Sequence, residues 1–184
     1  IMSLEVAEVE SVPDYIDQED VDQNSNIVIL PRQIPVDGGS TRLVDADESS
    51  TIQKLLEQQG IQEVEKVEGE GTRAEFGADI ALPPLYFALE FILENRDMIV
   101  VIFELLAIYY SRRTSGEVSL SILAESEDSN YEIEYEGPPE GLQELPDNLF
   151  GRIEELEDES IQEGEEVNDE AIQDSSELER DNNE

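Results

Sequence analysis

The sequence predicts an α+β fold: a small two-layer domain in which an antiparallel hairpin packs on apolar helices, flanked by disordered acidic tails. Three observations carry this reading. "EVSLSILA" and "YEIEYEG" alternate with a period of two, so Val118, Leu120 and Ile122 share one face of the first run. Tyr131, Ile133 and Tyr135 share one face of the second, against Glu132, Glu134 and Glu136, the pattern of a hairpin with one wet side. Leu85 to Tyr110 is mostly apolar, too long for a strand. The ends are acidic: residues 1–26 hold eight acids and no base, and residues 151–184 hold fifteen acids against two arginines. Three segments follow: an acidic arm over 1–26, one α+β domain over 27–157, and an acidic tail over 158–184.

Each element has its own signal. "NIVILP" is a β-branched run stopped by proline, hence a strand, and "VDGGST" is a turn. "SSTIQKLLEQQG" reads as a helix, with Ser50 and Gln53 at capping-box spacing, Ile52, Leu55 and Leu56 on one face, and Gly60 as its stop. "IQEVEKVE" gives a weak strand signal. The Gly-rich connector "GEGTRAEFGAD" leaves room for a short strand near Ala74–Phe76. Pro83 and Pro84 suit a helix start. Beyond them Glu90, Asp97 and Glu104 lie seven apart and Glu94 four after Glu90, which on a helix makes one narrow polar stripe with the rest buried. Stripe phase leaves open whether Asn95–Asp97 divides this segment into two helices. Arg112 and Arg113 complement its C-terminus, with Glu117 or the hairpin glutamates as partners. After the hairpin, Leu142, Leu145, Leu149, Ile153 and Leu156 step by three or four as a helix, divided at Pro146.

The run Met98–Tyr110 invites a membrane reading. A span needs about 20 apolar residues, and each ionised group near a bilayer centre costs roughly 2.5–3.5 kcal/mol. The window carries too many such groups, so the sequence predicts a core helix and no membrane span. "IMSLEVAEVE" lacks the basic region and apolar run of a signal peptide, and the expected location is cytoplasmic.

Composition narrows the chemistry. With no histidine and no cysteine, the chain cannot build a Ser–His–Asp triad, a Cys–His pair, a disulfide or an ordinary zinc site. The net charge is −38, with only two lysines, Lys54 and Lys66, among ten bases. Such a surface repels nucleic acid. It suits a salt-filled cytoplasm, where the Debye length falls to about 3 Å at molar salt, although Glu outnumbers Asp. "DADESSTIQKLLE" fails as an EF-hand loop, because Ser50 and Leu56 stand where glycine and glutamate are needed. The glycines at 69, 71 and 77 match no phosphate-binding pattern. Glu90 and Glu94 could meet a retaining glycosidase's carboxyl spacing, yet they read more simply as a helix's solvent edge. No catalytic, cofactor-binding or metal residue is expected, and the chain reads as a non-enzyme.

From Ser50 to Phe150 the order of elements resembles the effector-associated constant component family of prokaryotic NTP-dependent conflict systems. The likeness rests on "STIQKLLEQQG", then "FGADIALPPLYFALEFI", a second apolar helix ending in "YYSRR", and the hairpin "GEVSLSILAESEDSNYEIEYEGPPEGLQEL". Gly77–Ala78, Arg112–Arg113 and Glu144–Leu145 fall at the family's pattern positions. The chain departs from it in "ENRD", where small residues are usual, and in Tyr109–Tyr110, where a tryptophan is common. The resemblance implies two helices over 83–113. It also implies a non-enzymatic component encoded beside effectors, proteases or NTPases, coupling them by protein contact.

The elements that can cover an apolar helix here are few and short. Some of Phe87, Phe91, Phe103, Tyr109 and Tyr110 is therefore expected at the surface as an interface, flanked by Arg112 and Arg113; the alternative is a core that closes on itself. The expected partners are other proteins, with a homo-oligomer compatible and nucleic acid excluded. Two other functions fit the composition: an acidic decoy that masks a basic or DNA-binding partner, and a structural protein of a virus or particle.

Overall fold

A computed structural model describes residues 3–9, 25–62, 64–73, 78–126 and 129–155. In chain order they form β1 (Ser3–Val9), β2 (Ile27–Ile29), β3 (Arg32–Pro35), β4 (Thr41–Ala46), α1 (Ser49–Gln58), β5 (Val64–Lys66), β6 (Thr72–Arg73), β7 (Ile80–Ala81) and β8 (Leu85–Ala88). Then follow α2 (Leu89–Glu94), α3 (Arg96–Ser111), β9 (Val118–Glu125), β10 (Asn130–Gly137) and a 3-10 turn over Pro139–Gln143. Residues 145–155 are helical. One compact unit ends at Asp147 and a second begins at Asn148. Leu149, Phe150 and Ile153 of the second are buried.

The fold is mixed α and β, as the sequence predicts, but the expected hairpin is the middle of a seven-stranded sheet. Its order is β1-β10-β9-β8-β2-β5, with β7 also paired to β9. The pairs β1–β10, β10–β9 and β8–β2 are antiparallel, while β8–β9 and β2–β5 are parallel. A parallel pair needs a crossover connection. α1 lies in the β2–β5 crossover and α2–α3 in the β8–β9 crossover, which places the helices on the sheet. β3, β4 and β6 make a separate three-stranded sheet. The β3–β4 turn uses Gly38 and Gly39, both at positive φ (92° and 79°), where glycine meets no steric penalty.

Strand alternation sorts the main sheet's faces. Ile27, Ile29, Leu85, Phe87, Ile122, Ala124, Tyr131 and Ile133 are buried on the face the helices cover. Ile52 and Leu56 of α1, Ile92 of α2, and Ile99, Ile102, Phe103, Leu106, Ala107 and Tyr110 of α3 complete this core. The opposite face carries a smaller cluster of Val28, Leu30 and Leu123, with Val67 and Tyr86 against it. Towards β10 and β1 that face turns acidic, with Glu134 directly opposite Glu5.

Several expectations need correction. The acidic arm over 1–26 contains β1, because "SLEVAEV" alternates and sets Leu4 opposite Tyr135 and Val6 opposite Ile133. Residues 10–24 and the expected tail over 158–184 lie outside the described residues, as does the expected strand near Ala74–Phe76. The helix does not start at the prolines: "LYFA" is strand β8, with Leu85 and Phe87 buried between β9 and β2. The segment whose division stripe phase leaves open is two helices. Asn95 breaks it at φ −118°, ψ 43°, its Nδ2 donating to the Phe91 carbonyl at 3.0 Å. The predicted capping box at Ser50 does not form; Glu48 stands at the N-cap of α1 without capping it through its side chain. Gly60, at φ 79°, ends α1 as its spacing predicts.

No helix among the described residues is long and apolar enough to cross a membrane. Met98–Tyr110 lies within α3 instead.

Candidate interaction surface

α3 positions the site, and two contacts tie its C-terminal end to the start of α1. Tyr110 is fully buried, and its hydroxyl donates to Glu48 Oε2 at 2.8 Å. Arg113 Nη1 donates to the same oxygen at 3.0 Å and to the Tyr109 hydroxyl at 3.0 Å. The Tyr109 and Tyr110 rings meet edge to face at 5.0 Å, and the Arg113 guanidinium lies 5.8 Å from the Tyr109 ring centroid. Glu48 is itself buried, so its charge needs these partners. Burial, and then the Glu48 carboxylate, push the Tyr110 hydroxyl far above the usual tyrosine range. It therefore stays a hydrogen-bond donor at any physiological pH. A polar recess of about 530 Å³ opens beside this corner, lined by Asp47, Glu48, Asp79, Arg113, Thr114 and Ser115, among others.

The sequence-predicted interface residues divide. Phe87, Phe103 and Tyr110 are core, with at most 1% exposure, and cannot touch a partner while the fold is intact. Period and topology explain this: Phe87 alternates onto the helix-covered face of β8, and Phe103 and Tyr110 sit two helical turns apart on the inner side of α3. Phe91 and Tyr109 are half-buried, and Arg112 and Arg113 are exposed. Arg113 pairs with Glu48 rather than with a hairpin glutamate. Phe91 lines a second recess, of about 550 Å³, with Met98, Glu90, Glu94 and Asn95 among its walls.

What sequence reasoning missed is the outer face of α3. Glu90, Asp97 and Glu104 are exposed, as their stripe predicts, but the rest of the helix is not all covered. Met98, Val101 and Ile108 are 37%, 46% and 48% exposed, and Leu105 is half-buried among them. These residues step by three or four with Asp97, Glu104 and Arg112, so they form one continuous strip. The shortness of the available cover predicts that part of this helix stays open, but it does not say which residues, and aromatic content points to the wrong ones.

No family, curated protein or solved structure matches this chain. The site's chemistry must therefore be argued from its residues. Among the described residues no group of three or more His, Cys, Asp or Glu side chains could hold a metal ion. What the surface offers is an apolar helical face rimmed by charge.

Proposed function

We propose that the protein is a non-enzymatic interaction module, an adaptor, and that the outer face of α3 is one of its protein-binding surfaces. One observation carries the reading: Met98, Val101 and Ile108 stay open to solvent on a chain of net charge −38. A chain so rich in carboxylates has ample polar residues to place there, and contiguous exposed apolar residues mark binding surfaces. The Tyr109–Tyr110–Arg113–Glu48 corner fixes the helix end, so the strip is presented on a rigid element. The acidic surface keeps the free protein dispersed and discourages unspecific contact. The resemblance to conflict-system components supports the adaptor role, in a cytoplasm rich in salt, with partners encoded nearby.

The test is a photo-crosslinking residue at position 101 in the full chain, irradiated in cells. Capture of a protein chain that is lost in a competing I108E variant supports the reading. No protein adduct at position 101 overturns it.

The acid ladder of Glu5, Glu134 and Glu136 on the open sheet face favours a second reading, a decoy for a basic partner. That binding would collapse at molar salt, whereas an apolar contact on α3 would persist there.

A further inference from the structure

We infer that the occupant of the α3 face is a second copy of this chain, packed antiparallel across a two-fold axis between Glu104 and Leu105. The inference rests on α3 being an interface and adds what sits on it. A two-fold contact must be self-complementary, each patch meeting itself reversed. The strip meets that condition. Asp97 stands at one end and Arg112 at the other, both exposed, and neither side chain has a hydrogen bond or ion pair among the described residues. At 1.5 Å per residue they lie about 22 Å apart along the helix. Reversing α3 about the stated axis brings Asp97 of each copy level with Arg112 of the other. The same operation sets Val101 level with Ile108 of the second copy, burying the two most exposed large apolar side chains of the described residues together. A parallel pairing would set Asp97 against Asp97 and Arg112 against Arg112.

The geometry also dictates how the pair responds to its surroundings. Glu104 approaches its own symmetry mate at one rim, and the two chains carry −38 each. Near 1 M salt the Debye length falls to about 3 Å, so these repulsions and the exposed Asp97–Arg112 attractions weaken alike; apolar burial is retained and carries the contact, while the charges set its direction. One helix pair buries less than the roughly 800 Å² per partner of a standard interface, so a reversible dimer is expected.

The chain has no cysteine, which makes engineered thiols unambiguous. In about 2 M KCl, sedimentation velocity of the full chain should show dimer at tens of micromolar, and V101E should raise the dissociation constant at least about tenfold. Val101 is exposed, so V101E should leave the far-ultraviolet circular dichroism unchanged. A mixture of D97C and R112C chains, oxidised together, should form a disulfide-linked pair of the two chains. D97C alone should not link, because the two thiols would be about 22 Å apart at opposite ends. Self-linking of D97C, or a dimer indifferent to V101E, overturns the antiparallel contact. A chain that stays monomeric and unlinked while position 101 captures a different protein in cells removes the second copy and leaves the interaction reading standing. A monomer with no capture in cells removes both.

Discussion

The bond between Tyr110 and Glu48 gives the sharpest energetic test of the corner that anchors α3. Consider Y110F, E48A and the double variant. Y110F removes a hydroxyl from a fully buried ring whose acceptor is the Glu48 carboxylate. A hydrogen bond to a charged group contributes about 1.5–3 kcal/mol. Among the described residues the Glu48 side chain then keeps only Arg113, whose side chain is 45% exposed. E48A instead leaves the Tyr110 hydroxyl buried without its acceptor, at about 1–3 kcal/mol. It also releases Arg113 to water, a loss of about 0–1 kcal/mol for so exposed a pair. The double variant strands neither group, so it should be less destabilised than the sum, with a coupling of about 1–2 kcal/mol. Against a net stability of about 5–15 kcal/mol these losses are measurable. Urea denaturation in about 2 M KCl, followed by circular dichroism, gives the four free energies. Additivity to within about 0.3–0.5 kcal/mol would show that the two side chains do not act together, and the account of the corner would be wrong.

Four more outcomes are expected. Burial, with neighbouring carboxylates second, pushes the hydroxyls of Tyr86 and Tyr135 up to about 12, and that of Tyr110 higher. Since these folded values exceed the unfolded one near 10, the stability they contribute is complete below pH 10 and is lost as pH rises towards 12. Absorbance at 295 nm should therefore show these ionisations arriving together with loss of ellipticity, and ionisation of all tyrosines near pH 10 in a folded chain would contradict it. Dialysis from about 2 M KCl to dilute buffer should reduce ellipticity and melting temperature, and E5K should recover part of the loss, because Glu5 faces Glu134 and like cross-strand charges cost a few tenths to about 1 kcal/mol. Replacing Lys66 by methionine should destabilise the fold by about 1–3 kcal/mol, as its ammonium lies 3.5 Å from Asp45 with both side chains nearly buried; an unchanged urea midpoint would refute that. G69A should be at least as harmful, since a Cβ there would stand 2.7 Å from the Asp45 backbone nitrogen.

How legible the fold was depended on how much of each element's pattern is local. The β9–β10 hairpin was plain because one face is buried and the other carries glutamates, so alternation is complete. α1 was plain for the same reason at helical period. β8 was not: "LYFA" borders a helix of similar composition, and only its position between β9 and β2 makes it a strand. β3 and the two-residue strands carry too few residues for a period to show, and the six residues of β4, "TRLVDA", do not alternate. β1 was hidden by its acids, although Leu4 and Val6 alternate as a strand's should. The candidate surface was half legible. Aromatic content pointed to Phe87, Phe103 and Tyr110, but large rings are also what a small core buries first. The exposed strip is made of Met98, Val101 and Ile108, whose side chains differ from their buried neighbours in position on α3 and not in kind. Glu48 was passed over because one carboxylate among 48 acids stands out only once its burial is known.

The pairing of β1 with β10 has a consequence for how the molecule is made. The two strands align along their length, from Ser3 opposite Glu136 to Val9 opposite Asn130. During synthesis β1 leaves the ribosome long before its mate exists, and such distant pairings fold slowly. Until then Glu5 and Glu8 keep this short segment dispersed, where an uncharged one would seek any open strand. The hairpin can close on β8 and the helices without it, so seating β1 is the natural final step. In the interval the outer edge of β10 is bare, and two nascent chains on neighbouring ribosomes could exchange their first strands.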